Sequence, residues 1–246
     1  MKKALIIAHF NKSGILRQDT LDFLRLANYH YDKIIFISTC LGGNFDAILP
    51  SGIKWIIRDN FGYDFYSYRE GIIMLLSDGV KYEVTLMNTS FLILQPYKLL
   101  ENYAKTTDAN SSSFYGLVKS YEIECHLQSF LVTFPIDWIR DENVIQWWYD
   151  MRPINERSTV IKLYEIGLSQ LMRQSGYILR GAYEPLPTAP PINPCHFHYM
   201  TILEDFGILK IELIRDNPFK QNLASIIELA RVNSSVKKSL IEGLEN

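Results

Sequence analysis

The sequence predicts an α/β fold built on a central, mostly parallel sheet with helices on both faces and a helical tail at the C-terminal end. Three observations carry this expectation. Apolar runs of strand length recur at Ala4 to His9, Lys33 to Ser38 and Ile53 to Ile57, and they are continuous rather than alternating, as in strands buried on both faces. Between the first two runs, Asp19 to Ala27 carries leucines and a phenylalanine at helical spacing, the connection a parallel pair requires. Hydrophobic residues make up 48% of the 246 residues and charged residues 21%, which suits one large globular domain with a substantial core.

The elements follow in order. After the third strand, Asn60, Gly62 and Asp64 form a turn: the glycine can take a backbone conformation closed to other residues, and the aspartate can cap the next helix. That helix is expected over Tyr68 to Leu76 and ends at Asp78-Gly79; a fourth strand, Val84 to Met87, stops at Asn88-Thr89-Ser90. The first ninety residues therefore read as a half-domain of the nucleotide-binding kind. Beyond it, a short helix is expected over Pro96 to Ala104, a polar loop over Thr106 to Ser113, and strands over Phe114 to Val118 and Ser129 to Phe134. Asp141 to Asp150 is an aromatic helix with Trp147-Trp148, and Thr159 to Ser175 is the clearest amphipathic helix, stopped by Gly176. A proline-rich loop, Pro185 to Pro194, precedes a helix over Tyr199 to Asp205, a strand-like Leu209 to Ile214 and a single helical tail, Ile226 to Leu244.

Composition excludes several classes. A net charge of -2 gives no footing for a polyanion, so nucleic acid is disfavoured as a partner. Cys40, Cys125 and Cys195 are widely separated and suit small buried thiols in a reducing compartment, the cytoplasm, with no structural disulfide. The N-terminal apolar run is cut short by Asn11 and Lys12 before it reaches signal-peptide form, and no stretch is long enough to span a bilayer. Any membrane role is expected to be peripheral, at the inner face; Lys237 and Lys238 lie on an apolar helical tail that either packs back on the domain or contacts a membrane surface or partner.

No nucleophile elbow, P-loop, dinucleotide fingerprint or cysteine zinc motif is present. Candidate chemistry rests on polar residues near element ends. The stretch Arg58 to Gly71 serves equally as a capped strand-to-helix turn or as the polar edge of a nucleotide pocket. His196 and His198, two apart, would point the same way on an extended segment, compatible with metal or phosphate binding or with a structural role. Glu165 is a solvated helix carboxylate or a base, Lys210 and Arg215 a charged strand edge or an anion site, and the Trp147-Trp148 pair core or sugar platform.

The pieces LIIAHFNKSG, KIIFIS, RDNFGYDFYSYREG, LMNTS, HLQSFLVTF, YEIGLSQLMRQSGY, NPCHFHYM and LKIELIRDNP occur in order along the chain up to Pro218. Together they resemble the rhamnan synthesis protein F family, glycosyltransferases of bacterial cell-surface polysaccharides. The order of Asn60-x-Gly62, Asn88-Thr89-Ser90 and Glu165 before a closing helix also resembles the GT-A plan of sugar transferases. The resemblance implies a GT-A-like domain over residues 1–218 and a helical tail, 219–246, packed on it. It implies Glu165 as catalytic base of an inverting transfer. Donor binding would fall to His9, Arg58, Asn60, Gly62, Asp64, Arg69, Asn88, Thr89, Ser90, His196, His198, Lys210 and Arg215. Acceptor binding would fall to His126, Gln128 and Trp148.

The implied donor is a nucleoside diphosphate sugar, deoxythymidine diphosphate rhamnose, and the implied acceptor a growing or polyprenyl-linked glycan, with another glycosyltransferase as a further contact. The chain departs from the plan where an Asp-x-Asp motif would hold magnesium or manganese, because Thr89 stands where an aspartate is usual and a divalent ion prefers anionic oxygens. A divalent metal is therefore disfavoured, and cations such as Lys210, Arg215, Arg58 or Arg69 are expected to meet the diphosphate, assisted by His196 or His198. The other reading is a non-catalytic sugar-nucleotide or glycan-binding module on the same fold.

Overall fold

The computed structural model describes residues 1–40, 45, 48–107, 112–186 and 191–244. Strands β1 (Lys3–His9), β2 (Lys33–Ser38), β3 (Lys54–Ile57) and β4 (Glu83–Asn88) lie parallel in the order β3-β2-β1-β4. They are joined by α1 (Gln18–Ala27) and α2 (Tyr63–Ser77). The sheet continues through β8 (Leu131–Phe134), antiparallel to β4, to β6 (Ser113–Ser120), which also pairs with the short β7 (His126–Leu127) and, in parallel, with β9 (Ile178–Tyr183). The mostly parallel sheet expected from the sequence is thus present.

The continuous apolar runs have the predicted cause. Ala4, Ile6 and Ala8 of β1 enter one core, with Ile35, Tyr68, Trp138 and Trp148; Leu5 and Ile7 enter the other, with Phe23, Phe36 and Phe130. Strands β1, β2 and β4 are covered on both faces, so neither alternate set of side chains faces water, whereas β3 at the sheet edge is half-buried.

Helix α2 starts at Tyr63, five residues earlier than expected. Gly62, at φ +70°, is its N-cap, and Asp64 lies in the first turn without capping it; its carboxylate turns instead to Asn88. Gly71 permits α2 to lie on β1, since a Cβ there would stand 2.5 Å from Ile6 Cγ2. The strand-like Leu209 to Ile214 divides into β10 (Ile208–Lys210), paired with β5 (Phe91–Ile93), and helix α9 (Ile211–Arg215). Sequence alternation missed both β5 and β9.

The remaining helices are α3 (Pro96–Thr107), α4 (Glu142–Asp150), α7 (Pro194–Phe197) and α8 (Tyr199–Phe206). Another, α5 (Arg157–Val160), passes through a π-helical turn, Ile161–Ile166, into α6 (Gly167–Gln174). Asp141 caps α4, accepting from Asn143 N and Val144 N. The centres of the expected polar loop and proline-rich loop, 108–111 and 187–190, lie outside the described residues.

The tail is two helices, not one: α10 (Ala224–Val232) and α11 (Ser234–Leu244), broken at Asn233, whose side chain accepts from Val236 N. Gly243 approaches Leu92 and Ile214, and Glu242 accepts from Gln18 N, so the tail lies against the strand pair β5–β10. Among the described residues no helix is long and apolar enough to cross a membrane.

Candidate active site

The parallel strands β1, β4 and β6 end on one edge of the sheet, and a pocket of about 620 Å³ opens there. Asn88, the last residue of β4, is held at both ends of its amide. Its Nδ2 donates to Asp64 Oδ2 at 2.6 Å, and its Oδ1 accepts from Ser90 N at 3.0 Å and Ser90 Oγ at 2.7 Å. Behind this corner a buried pair, Arg17 and Asp19, braces the turn: Arg17 donates to the Thr89 and Phe91 carbonyls, and Asp19 accepts from Ile93 N. Burial pushes the Asp64 carboxyl up, against the Asn88 hydrogen bond and the charges of Lys210 and Arg58.

Lys210 reaches the same corner from the end of β10. Its Nζ donates to Ser90 Oγ at 3.0 Å and lies 3.9 Å from the centre of the Phe130 ring. Burial lowers its pKa, opposed by Cys195, Glu165, Asp64 and Glu212. The ammonium therefore stands among three pocket carboxylates.

Glu165 sits on the π-helical turn, an irregularity that often marks functional sites. Its Oε2 accepts from Ser129 N at 2.7 Å and Ser129 Oγ at 2.5 Å. Its Oε1 lies 3.6 Å from His126 Nε2. His126 Nδ1 is 2.7 Å from the Glu124 carbonyl, which can only accept, so that nitrogen carries the proton. The helix carboxylate is thus oriented by the sheet instead of lying free in solvent. Gln128 is locked in a chain: Cys195 Sγ donates to its Oε1, its Nε2 donates to Asn193 Oδ1, and Asn193 Nδ2 donates to Glu122 Oε2.

Also in the pocket lining, Arg157 forms a two-pronged pair with Glu212 at 3.2 and 3.3 Å, and His196 Nε2 lies 3.5 Å from the same carboxylate. His196 and Arg157 hold the Glu212 carboxyl down to about 2. Phe219 stands edge-on to His196, with ring centres 5.1 Å apart.

Of the predicted residues, Asp64, Asn88, Thr89, Ser90, His126, Gln128, Glu165, His196, Lys210 and Arg215 line this pocket. His9, Arg58, Asn60, Gly62, Arg69, His198 and Trp148 do not, and each has another physical role or position. His9 is buried between Phe36 and Phe45 and bonded to Ser38 Oγ at 3.0 Å; burial, helped by Arg17, lowers its pKa to about 4.

Arg58 donates to Ser67 Oγ and to the carbonyls of Asp59, Phe61 and Tyr63, clamping the turn from behind. Arg69 pairs with Glu70 and lies over Tyr66; Gly62 is packed under Tyr66 and Pro153, its N–H given to Asn155; Asn60 is exposed. His196 and His198 do not share a direction, because the chain there is helical; His198 instead bonds to Tyr183. Trp148 is fully buried against Phe134 and Trp147, which corrects its expected role as a sugar platform.

Tyr63, Ser129, Arg157, Glu212 and Phe219 were missed. The signal available for Phe219 was Asn217-Pro218, a turn pair; nothing local marked Arg157 or Glu212, which find each other across 55 residues.

The family model of rhamnan synthesis protein F matches residues 29–241. The chain belongs to the rhamnan synthesis protein F family. Among curated relatives, this family member is 27% identical over 133 residues to the uncharacterized protein y4gN of Sinorhizobium fredii, covering 53% of this chain and 35% of that protein. It is 25% identical over 199 residues to the virulence protein VirA of Vibrio anguillarum, covering 67% of this chain and 63% of that one. The chain thus spans less than two thirds of the length of these relatives.

Among solved structures, the 2-C-methyl-D-erythritol 4-phosphate cytidylyltransferase of Francisella tularensis is 12% identical with a TM-score of 0.45, over 78% of this chain and 94% of that one. The glycosyltransferase GlyE of Streptococcus pneumoniae TIGR4 is 10% identical with a TM-score of 0.39, over 84% and 50%. At these scores the likeness carries no functional weight.

Proposed function

We propose that this rhamnan synthesis protein F family member is an inverting glycosyltransferase. It moves a sugar, rhamnose, from a deoxythymidine diphosphate donor to a growing or polyprenyl-linked glycan. The observation that carries this reading is the oriented Glu165 carboxylate facing a polar pocket at the carboxyl edge of a parallel sheet, with the Lys210 ammonium in the same pocket.

In the reaction, the acceptor hydroxyl oxygen forms a bond to the anomeric carbon as the bond to the departing diphosphate breaks. Glu165 Oε1, the oxygen not taken by Ser129, receives the hydroxyl proton. Lys210 and the Ser90 hydroxyl stabilise the negative charge that collects on the leaving group, with Arg215, paired with Asp216, at the pocket rim. Arg58 and Arg69, turned away from the pocket, take no part.

The corner residues fit a divalent ion poorly. Both ends of the Asn88 amide are occupied, the Asp64 carboxylate is engaged by one of them, and an ammonium already stands close by. Among the described residues no group of three or more histidine, cysteine, aspartate or glutamate side chains gathers to hold a metal.

The substitution Glu165→Gln is expected to lower the transfer rate by about 100-fold or more with donor affinity within a few-fold of the parent. Turnover close to the parent would remove Glu165 as base. The non-catalytic alternative draws on the two Ser129 hydrogen bonds, which give Glu165 a structural task in the absence of any substrate. It predicts donor binding by titration calorimetry without transfer or hydrolysis.

A further inference from the structure

The pocket lining holds two unlike sets of groups. Asp64, Asn88, Ser90 and Lys210 gather at the sheet edge; Tyr63, Arg157, Glu212, His196 and Phe219 form a second run of wall. Along that wall the Tyr63 phenol lies within electrostatic reach of Arg157, Arg157 pairs with Glu212, Glu212 approaches His196, and His196 meets the Phe219 ring. Aromatic rings stand at both ends, Tyr63 43% and Phe219 44% exposed, with polar groups between them.

Backbone strain is concentrated around these two rings. Among the described residues, the non-glycine positions with positive φ are Tyr63 at 52°, Asn217 at 39° and Lys220 at 51°. Tyr63 follows left-handed Gly62 and is held by Arg58, which donates to its carbonyl. Asn217 and Lys220 bracket Pro218-Phe219 in a turn closed by Lys220 N to Asn217 O and by two side-chain bonds between Asn217 and Gln221. Such conformations persist only where surrounding structure enforces them, and here they present large apolar rings to a pocket.

The chemistry of the wall selects its ligand. Arg157 is neutralised by Glu212, so the wall offers no net positive charge to a diphosphate. His196 is 2% exposed, lines the pocket, and leaves its buried Nδ1 without a hydrogen-bond partner among the described residues. Its Nε2 is directed to Glu212, so the ring steadies that carboxylate in the wall. Rings for apolar ring faces and an Arg–Glu pair for vicinal hydroxyls together match a neutral, hydroxyl-rich chain.

We propose that the Tyr63–Phe219 wall is the acceptor subsite, holding the terminal sugars of a glycan chain by stacking and hydroxyl contacts, with the donor confined to the sheet edge. This rests on the glycan-transfer reading above and assigns the acceptor side to residues other than Trp148.

The test uses the full chain, a rhamnose trisaccharide and deoxythymidine diphosphate, each followed by saturation-transfer NMR and calorimetry. Phe219→Ala and Tyr63→Gly are expected to weaken the trisaccharide about tenfold each, while diphosphate affinity changes less than about twofold. Tyr63→Gly removes the ring while relieving the positive φ, so lost folding does not explain its effect. An unchanged trisaccharide affinity, a tenfold loss for the diphosphate instead, or no trisaccharide binding by the parent at about 10 mM overturns the proposal. Trisaccharide binding at the wall without transfer from any nucleoside diphosphate sugar leaves the subsite standing and ends the transferase reading.

Discussion

Asn88, Glu165 and Gln128 are each tied by two or more hydrogen bonds within the protein, which fixes where their remaining polar atoms face. Such pre-organisation lowers the cost of ordering a ligand, because the protein side chains are already still. His9 shows the opposite use of a buried polar group. Its folded pKa of about 4 lies below the ordinary 6.5, so the unfolded chain binds the proton more readily. Its contribution is therefore full above pH 6.5 and is lost as the pH falls from 6.5 towards 4. Urea unfolding across that range is expected to show about 3 kcal/mol of acid destabilisation from this group, reduced in His9→Asn. At this scale the sequence named ten of the pocket residues, since they lie at ends of periodic elements. It misassigned His9, because a histidine closing an apolar strand looks the same whether it faces a ligand or two phenylalanine rings.

Helix α2 is the element on which both parts of the pocket depend, since its first turn carries Tyr63 and Asp64 and its middle rests on β1. Gly71→Ala is expected to destabilise the protein by about 1–3 kcal/mol, because the new methyl meets Ile6 at 2.5 Å in a close-packed layer. A melting temperature equal to the parent's would show that the helix can shift without cost. The start of this helix was illegible: Gly62 and Tyr63 take left-handed conformations that local propensity does not encode for tyrosine. The π-helical turn under Glu165 was equally hidden, for the amphipathic period survives one widened turn. Leu209 to Ile214 read as a strand because apolar residues alternate there; pairing with β5 ends at Lys210, and the remainder coils into α9.

Across the whole molecule, the parallel half of the sheet sets where the pocket lies, and the β5–β10 pair brings Lys210 back across 120 residues to Ser90. In the proposed transfer, a cation fixed in this way meets the diphosphate charge where a divalent ion would otherwise stand. Activity measured in excess chelator is expected to stay within about twofold of that with magnesium or manganese. Strict dependence on either metal would refute the role given to Lys210.

The sequence by itself determined the α/β class, both faces of the sheet and the stretches that end at its carboxyl edge, because apolar periodicity records burial directly. Tertiary structure alone decided which ends converge. Ser129 meeting Glu165, Arg157 meeting Glu212 and Phe219 standing over His196 are contacts between residues far apart in the chain. Their partners are chosen by packing, which no local pattern contains.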